Sequence, residues 1–208
     1  MYSNYEIRRR AREQLQGNIF SSNWLTLLAF VFVTGLAVSV AGSVIPFGGL
    51  LLGGAAEMGL AAVCLLLVRQ PQRKMEVNTV FYAFKDDNYV RSLVIYLLSR
   101  LYVFLWSLLF WIPGIVKGYA YSMAYYVSLD RPEMSGSDCI TTSEQLMEGH
   151  KWQLFCLELS FIGWFIVSLL TFGIGFLFVG PYYRLAKTNF YESIIRVPMG
   201  GGAGVEKE

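Results

Sequence analysis

The chain is poor in charge. Only 15% of its 208 residues are Asp, Glu, Lys or Arg, against about a quarter in an ordinary soluble domain. The net charge of +2 is small and argues against a nucleic-acid partner. Histidine occurs once, at His150, and cysteine three times, at Cys64, Cys139 and Cys156. Three scattered cysteines supply neither a disulfide framework nor a zinc site. No nucleotide-binding loop or nucleophile elbow is present. The expectation is a non-enzyme with no catalytic residue, no metal ligand and no cofactor.

What the chain has instead is apolar length. Hydrophobic residues make up 55% of it, and the mean hydropathy is +0.46. A helix needs about 20 apolar residues to cross the hydrocarbon core of a bilayer. Trp24 to Ile45 meets that requirement without a charge, and Leu50 to Val68 meets it with one, Glu57. Ser92 to Ile112 carries Arg100, and Trp152 to Leu170 carries Glu158. Two weaker runs follow the turns: Ile115 to Leu129, with Lys117 inside, and a last run from Phe176 that passes Pro181 and frays at Arg184 to Lys187. The first run is too long for the core of a signal peptide and reads as a retained helix.

These runs predict an all-α polytopic membrane protein of about six spans in three hairpins. The turns at Pro46-Phe47-Gly48-Gly49, Pro113-Gly114 and Thr171 to Gly175 are short, so each pair must be antiparallel. Gly and Pro there stop one helix and free the backbone for the next. The breakers Pro46, Pro113 and Gly173 recur about every 65 residues, the mark of an internal repeat.

A cytoplasmic amphipathic segment precedes each hairpin. Ile7, Ala11, Leu15 and Ile19 share one face of the first, and Val77, Val80, Phe81 and Phe84 share one face of the second. The third opens on Ser135 with Asp138 three residues later, a capping-box start, and its apolar face is Ile140, Leu146 and Met147. Glu13-Gln14-Leu15 is echoed by Glu144-Gln145-Leu146. One membrane domain, 1–197, is expected, with units at about 1–70, 71–131 and 132–197 and a disordered tail at 198–208.

The hairpin tips carry no Lys or Arg, whereas the segments between hairpins and both ends carry most of them. The positive-inside rule then puts both termini in the cytoplasm of a multi-pass plasma-membrane protein. Arg8, Arg9, Arg10 and Arg12 lie beside the first span, where anionic lipid would meet them.

Ionisable groups inside spans are costly and usually face a partner. At a rise of ~1.5 Å per residue, Glu57 lies about 12 Å and Arg184 about 14 Å from the nearest tip. Arg100 lies about 20 Å and Glu158 about 22 Å from theirs. Matching depths predict two pairs, Glu57–Arg184 and Arg100–Glu158. They serve either as structural glue or as a polar path. Lys117, about 6 Å from its tip, either snorkels to the outer interface or meets an anion or headgroup. Tyrosines crowd the fourth and sixth spans, at Tyr119, Tyr121, Tyr125, Tyr126, Tyr182, Tyr183 and Tyr191, as interfacial belts do. Small residues at Gly35, Ser39 and Ser43, at Gly49 and Gly53, and at Ala55 and Gly59 permit close helix approach.

The stretches Trp111-Ile112-Pro113-Gly114-Ile115-Val116-Lys117, Tyr121 to Tyr126 and Pro132 to Ser135 resemble a bacterial membrane family, domain of unknown function 975. Gly149 to Trp152, Leu159 to Trp164, Thr171 to Gly175 and Pro181-Tyr182 continue the resemblance. It is close over about 110–192 and looser over the first hairpin. It implies a membrane location, chiefly in Gram-positive bacteria, and no catalytic residue. It also implies that the Ile-Pro-Gly-Ile-x-Lys turn is a family feature. Two functions suit the residues: handling a small solute or lipid in the cell envelope, or serving as an accessory module that binds another membrane protein.

Overall fold

The computed structural model of the chain describes residues 3–14, 22–44, 48–70, 82–84, 86–109, 111–170 and 174–196. Expectations that rest on Leu15, Ile19, Val77, Val80, Phe81, Pro46, Phe47, residues 171–173 or the 198–208 tail lie outside the described residues.

The described residues are all-α. The order is α1 (Asn4–Gln14), α2 (Ser22–Val44), α3 (Gly48–Arg69), a 3-10 turn (Tyr82–Phe84), α4 (Asp86–Leu109), α5 (Trp111–Tyr121), α6 (Ala124–Asp130), α7 (Gly136–Leu146), α8 (Lys151–Leu170) and α9 (Ile174–Ile195). Four of these helices are long and apolar enough to cross a membrane: Leu25–Ser43, Gly48–Arg69, Asn88–Leu108 and Lys151–Leu170. The expected six spans narrow to four on this measure. The fourth run is broken at Ser122-Met123 into α5 and α6, each too short to cross. The sixth, α9, carries Arg184, Lys187 and Glu192.

Burial separates the long helices into two kinds. A helix that is apolar on every side belongs in a core or in lipid. Only 6% of the α2 span is buried, and 11% of the α4 span, so a protein core does not account for their apolar surface. Phe32, Leu36, Phe104, Leu108, Leu169 and Leu170 are all exposed. α3, by contrast, is 67% buried and packs on α2, α4, α6 and α9. Its glycines make that possible. A Cβ at Gly54 would sit 2.6 Å from the Ser92 carbonyl oxygen of α4, and one at Gly53 would sit 3.0 Å from the Tyr96 ring. Gly35, of the same small-residue pattern, has nothing within 4 Å and makes no such approach.

The helices of each hairpin approach at residues seven apart. A Cβ on Gly49 would lie 3.6 Å from the Gly42 Cα, one on Gly114 would lie 2.9 Å from the Ser107 Cα, and one on Gly175 would lie 2.5 Å from the Ser168 Cα. At the latter two contacts a side chain would meet backbone, which cannot yield cheaply. Pro113 does not break the chain there. It falls in the first turn of α5, where its missing N–H has no helical partner to lose. Likewise α9 passes Pro181 and does not fray at Arg184 to Lys187 but continues to Ile195.

The amphipathic segments pack onto the bundle. α1 buries Ile7 and Ala11 completely and lies chiefly on α9. Gln14 and Asn189 exchange amide hydrogen bonds at 3.2 and 2.6 Å, and the Tyr182 hydroxyl donates to the Arg8 carbonyl at 3.2 Å. α7 starts as its sequence predicts. Ser135 accepts from the Asp138 N–H at 3.2 Å and donates to the Asp138 carboxylate at 2.7 Å. It packs against α4, α5 and α6 with Ile140, Leu146 and Met147 buried. Gly149, at φ +76°, supplies the left-handed residue that turns the chain from α7 into α8. The second segment is represented only by the 3-10 turn, where Phe84 is exposed.

Candidate functional site

The charges that matter come from α3, α4, α5, α8 and α9. Glu57 on α3 accepts from Arg184 on α9, with Nη1 to Oε2 at 3.0 Å and Nη2 to Oε1 at 3.4 Å. Two donors on one carboxylate fix both side chains in direction as well as distance. Arg100 and Glu158 do not meet. Both Glu158 oxygens are taken by hydroxyls, from Tyr183 at 2.5 Å and Tyr119 at 2.7 Å. The Arg100 guanidinium lies over the Tyr96 ring, 5.4 Å from its centroid. The depth argument fixed position along each axis but not which helices are neighbours: α4 packs on α3, α5, α6 and α7, whereas α8 packs on α9, α5 and α1.

Lys117 pairs with Glu144 of α7, and its ammonium lies 5.2 Å from the Trp106 ring centroid and 5.9 Å from that of Tyr121. Two ring faces and a carboxylate satisfy the cation within the chain. Glu144 was expected in a cytoplasmic segment away from Lys117. α7 instead lies along α5, where Ser143 Oγ donates to the Ala120 carbonyl at 2.7 Å. That serine also accepts from the Met123 N–H at 3.2 Å, covering a donor freed by the α5–α6 break.

Between these helices lies a cleft of about 640 Å³, within the range of about 300–1,000 Å³ common for ligand sites. Its charged lining is Glu57, Arg100, Arg184 and Lys187, three cations to one anion. Tyr96, Tyr121, Tyr125, Tyr126 and Tyr183 supply aromatic faces and hydroxyls. Val31, Ala61, Val103, Gly118 and Gly180 give apolar or small walls. The sequence pointed to Glu57, Arg184 and Arg100, and the fold brings all three to this one cavity. Glu158 stands behind it, held by Tyr183. Lys187 was passed over as the frayed end of a span, although its place one turn after Arg184 on a continuing helix was the available signal.

A second charged cluster escaped the sequence reading altogether. Arg69, the last residue of α3, donates through both Nη atoms to Asp130 of α6 at 2.7 and 2.8 Å and through Nε to Glu192 of α9 at 2.6 Å. The Tyr191 hydroxyl adds 2.8 Å to Asp130, and Arg196 stands 3.4 Å from Glu192. Each partner lies at or near the end of its own helix, and only the fold joins three helices through one guanidinium. A third cluster lies on α1. There Arg9 pairs with Glu13 at 2.8 Å, and a shallow groove is bordered by Glu6, Arg9, Arg10, Glu13 and Gln14. The Arg9 guanidinium is held above its ordinary range by the adjacent Glu13 carboxylate.

The family described as protein of unknown function DUF975 matches residues 1–117 and 111–197, nearly the whole chain. The chain belongs to the DUF975 family. The two matched segments divide near the Pro113-Gly114 approach, so both halves of this DUF975 protein carry family character. No curated protein and no solved structure matches the chain.

Proposed function

We propose that this DUF975 protein is a non-enzymatic, multi-pass plasma-membrane protein that handles a small solute or a lipid in the cell envelope. The cleft between α3, α4, α5, α6 and α9 is its working site. One observation carries the reading: ionisable side chains line a ligand-sized cavity among helices that suit a bilayer. An ionised side chain at the centre of a membrane helix costs about 2.5–3.5 kcal/mol on insertion scales. Structure alone explains such a charge when it has a partner, as Glu57 and Arg184 have. It does not explain Arg100 and Lys187, which form no ion pair with any described residue. The bias of Lys and Arg away from the hairpin tips supports cytoplasmic termini, and the exposed arginines of α1 would then face anionic lipid.

Gly180 offers a clean test. It lines the cleft, and a Cβ built there has nothing within 4 Å, so a side chain can be started there without striking a neighbouring helix. Native mass spectrometry of gently solubilised protein should show adducts below the mass of a small protein. Gly180→Trp should lose them while keeping the wild-type melting temperature. Bare wild-type protein, or adducts indifferent to Gly180→Trp, would sink the reading and turn attention to protein partners.

A further inference from the structure

We infer that the cleft is an anion site, and that its ligand is a phosphate ester held between Arg100 and Lys187 with Arg184 beside them. The inference rests on the cleft being the working site, and it adds the ligand's chemistry.

Charge comes first. The lining carries three cations and one carboxylate. Glu57 is already engaged by two nitrogens of Arg184. Arg100 and Lys187 have no carboxylate partner and no hydrogen-bond acceptor among the described residues. Glu158, the next carboxylate, has both oxygens occupied by Tyr119 and Tyr183. The chain therefore sets two cations in a cavity and turns the nearest acids to other donors.

Donor geometry comes next. The hydroxyls of Tyr96 and Tyr125 line the same space and make no hydrogen bond to a described residue. With the free guanidinium nitrogens of Arg184 and Arg100 and the Lys187 ammonium, the cleft presents donors from α4, α6 and α9 and few free acceptors. A phosphate offers several acceptor oxygens around one centre and can meet donors arriving from three helices. The volume leaves room for an organic remainder, against walls made by Val31, Ala61, Val103, Gly118 and Gly180. A lipid headgroup and a soluble phosphate ester share this chemistry.

The experiment uses the full-length protein in detergent and native mass spectrometry. The probes are phosphatidylglycerol, phosphatidylcholine and glycerol 3-phosphate, tested on wild type, the double variant Arg100→Gln/Lys187→Gln, and Arg100→Lys/Lys187→Arg. Phosphatidylglycerol, glycerol 3-phosphate or both should bind more tightly than phosphatidylcholine. The glutamine variant should bind the preferred probe at least about tenfold more weakly, the effect expected on losing charge-assisted hydrogen bonds, and the charge-preserving variant should recover most of it. Preference for phosphatidylglycerol alone marks a lipid headgroup, and competition by glycerol 3-phosphate marks a soluble ester. Equal binding of anionic and zwitterionic probes, or full affinity in the glutamine variant, overturns the inference. If Gly180→Trp still empties the cleft in that case, the cleft works on an uncharged ligand and the proposed function stands. If Gly180→Trp also changes nothing, both fall.

Discussion

Two charged regions of this molecule behave in opposite ways. Where α3, α6 and α9 end together, Arg69, Asp130, Glu192, Tyr191 and Arg196 form a closed network. In the cleft, Glu57 and Arg184 are matched, while Arg100 and Lys187 are not. The residue types are the same, but the partners differ. A closed network holds helices together, and its removal should cost stability. Unmatched cations contribute nothing to stability that they do not also cost in desolvation, so their removal should cost binding and leave the fold intact.

The largest expected effect tests the closed network. Arg69→Ala leaves Glu192, 6% exposed, without its main partner. Removing one member of a buried pair costs about 3–5 kcal/mol. Arg69 is itself 39% exposed, so solvent takes up part of the loss, and about 2–3 kcal/mol is expected. Thermal unfolding in detergent should show the drop. Arg69→Lys should recover only part of it, since an ammonium cannot span Asp130 and Glu192 as a guanidinium does.

The next effect concerns the packing that brings the regions together. Gly54→Val drives a side chain against the Ser92 carbonyl and should cost about 1–3 kcal/mol as an overpacked contact. The same melting assay reads it, and an unchanged midpoint would contradict the α3–α4 approach.

The matched pair in the cleft should fall between the two regions. Glu57→Gln and Arg184→Gln should each destabilise, and the double variant should cost less than the sum by about 1 kcal/mol, the coupling of a contacting pair. Strict additivity would mean that the pair is not formed in the membrane.

Smallest of all should be the stability effect of Arg100→Gln or Lys187→Gln, within about 0.5 kcal/mol of wild type or slightly stabilising. A loss as large as that of Arg69→Ala would erase the distinction between the regions. Away from both lies Cys139 on α7, fully buried, with its thiol pushed up by burial. Less thiolate forms at neutral pH, and so maleimide should label Cys139 only after unfolding.

Much of the architecture could be read from residue order. The long apolar runs set α2, α3, α4 and α8 within a few residues, because hydrocarbon length and helical rise leave little choice. Ser135 and Asp138 announced the start of α7, because a cap is a contact between neighbours in sequence. The site was legible in part. Glu57, Arg100 and Arg184 stood out as charges in apolar surroundings. Arg100 and Glu158 do not pair because depth along a helix says nothing about which helices pack together, and α4 and α8 pack chiefly on other neighbours. Lys117 met Glu144 because α7 lies along α5, a docking that no local pattern states. Arg69, Asp130 and Glu192 were invisible as a group because each is unremarkable at its own helix end.

The sequence by itself determined composition, the lengths of the four long apolar helices and the presence of charges that a bilayer would resist. These follow from local chemistry, summed along the chain. The tertiary structure decided which charges meet. Partnership depends on the rotation of helices about their axes and on contacts between residues far apart in sequence. That decision gave Glu57 to Arg184, gave Glu158 to two tyrosines, and left Arg100 and Lys187 facing a cavity.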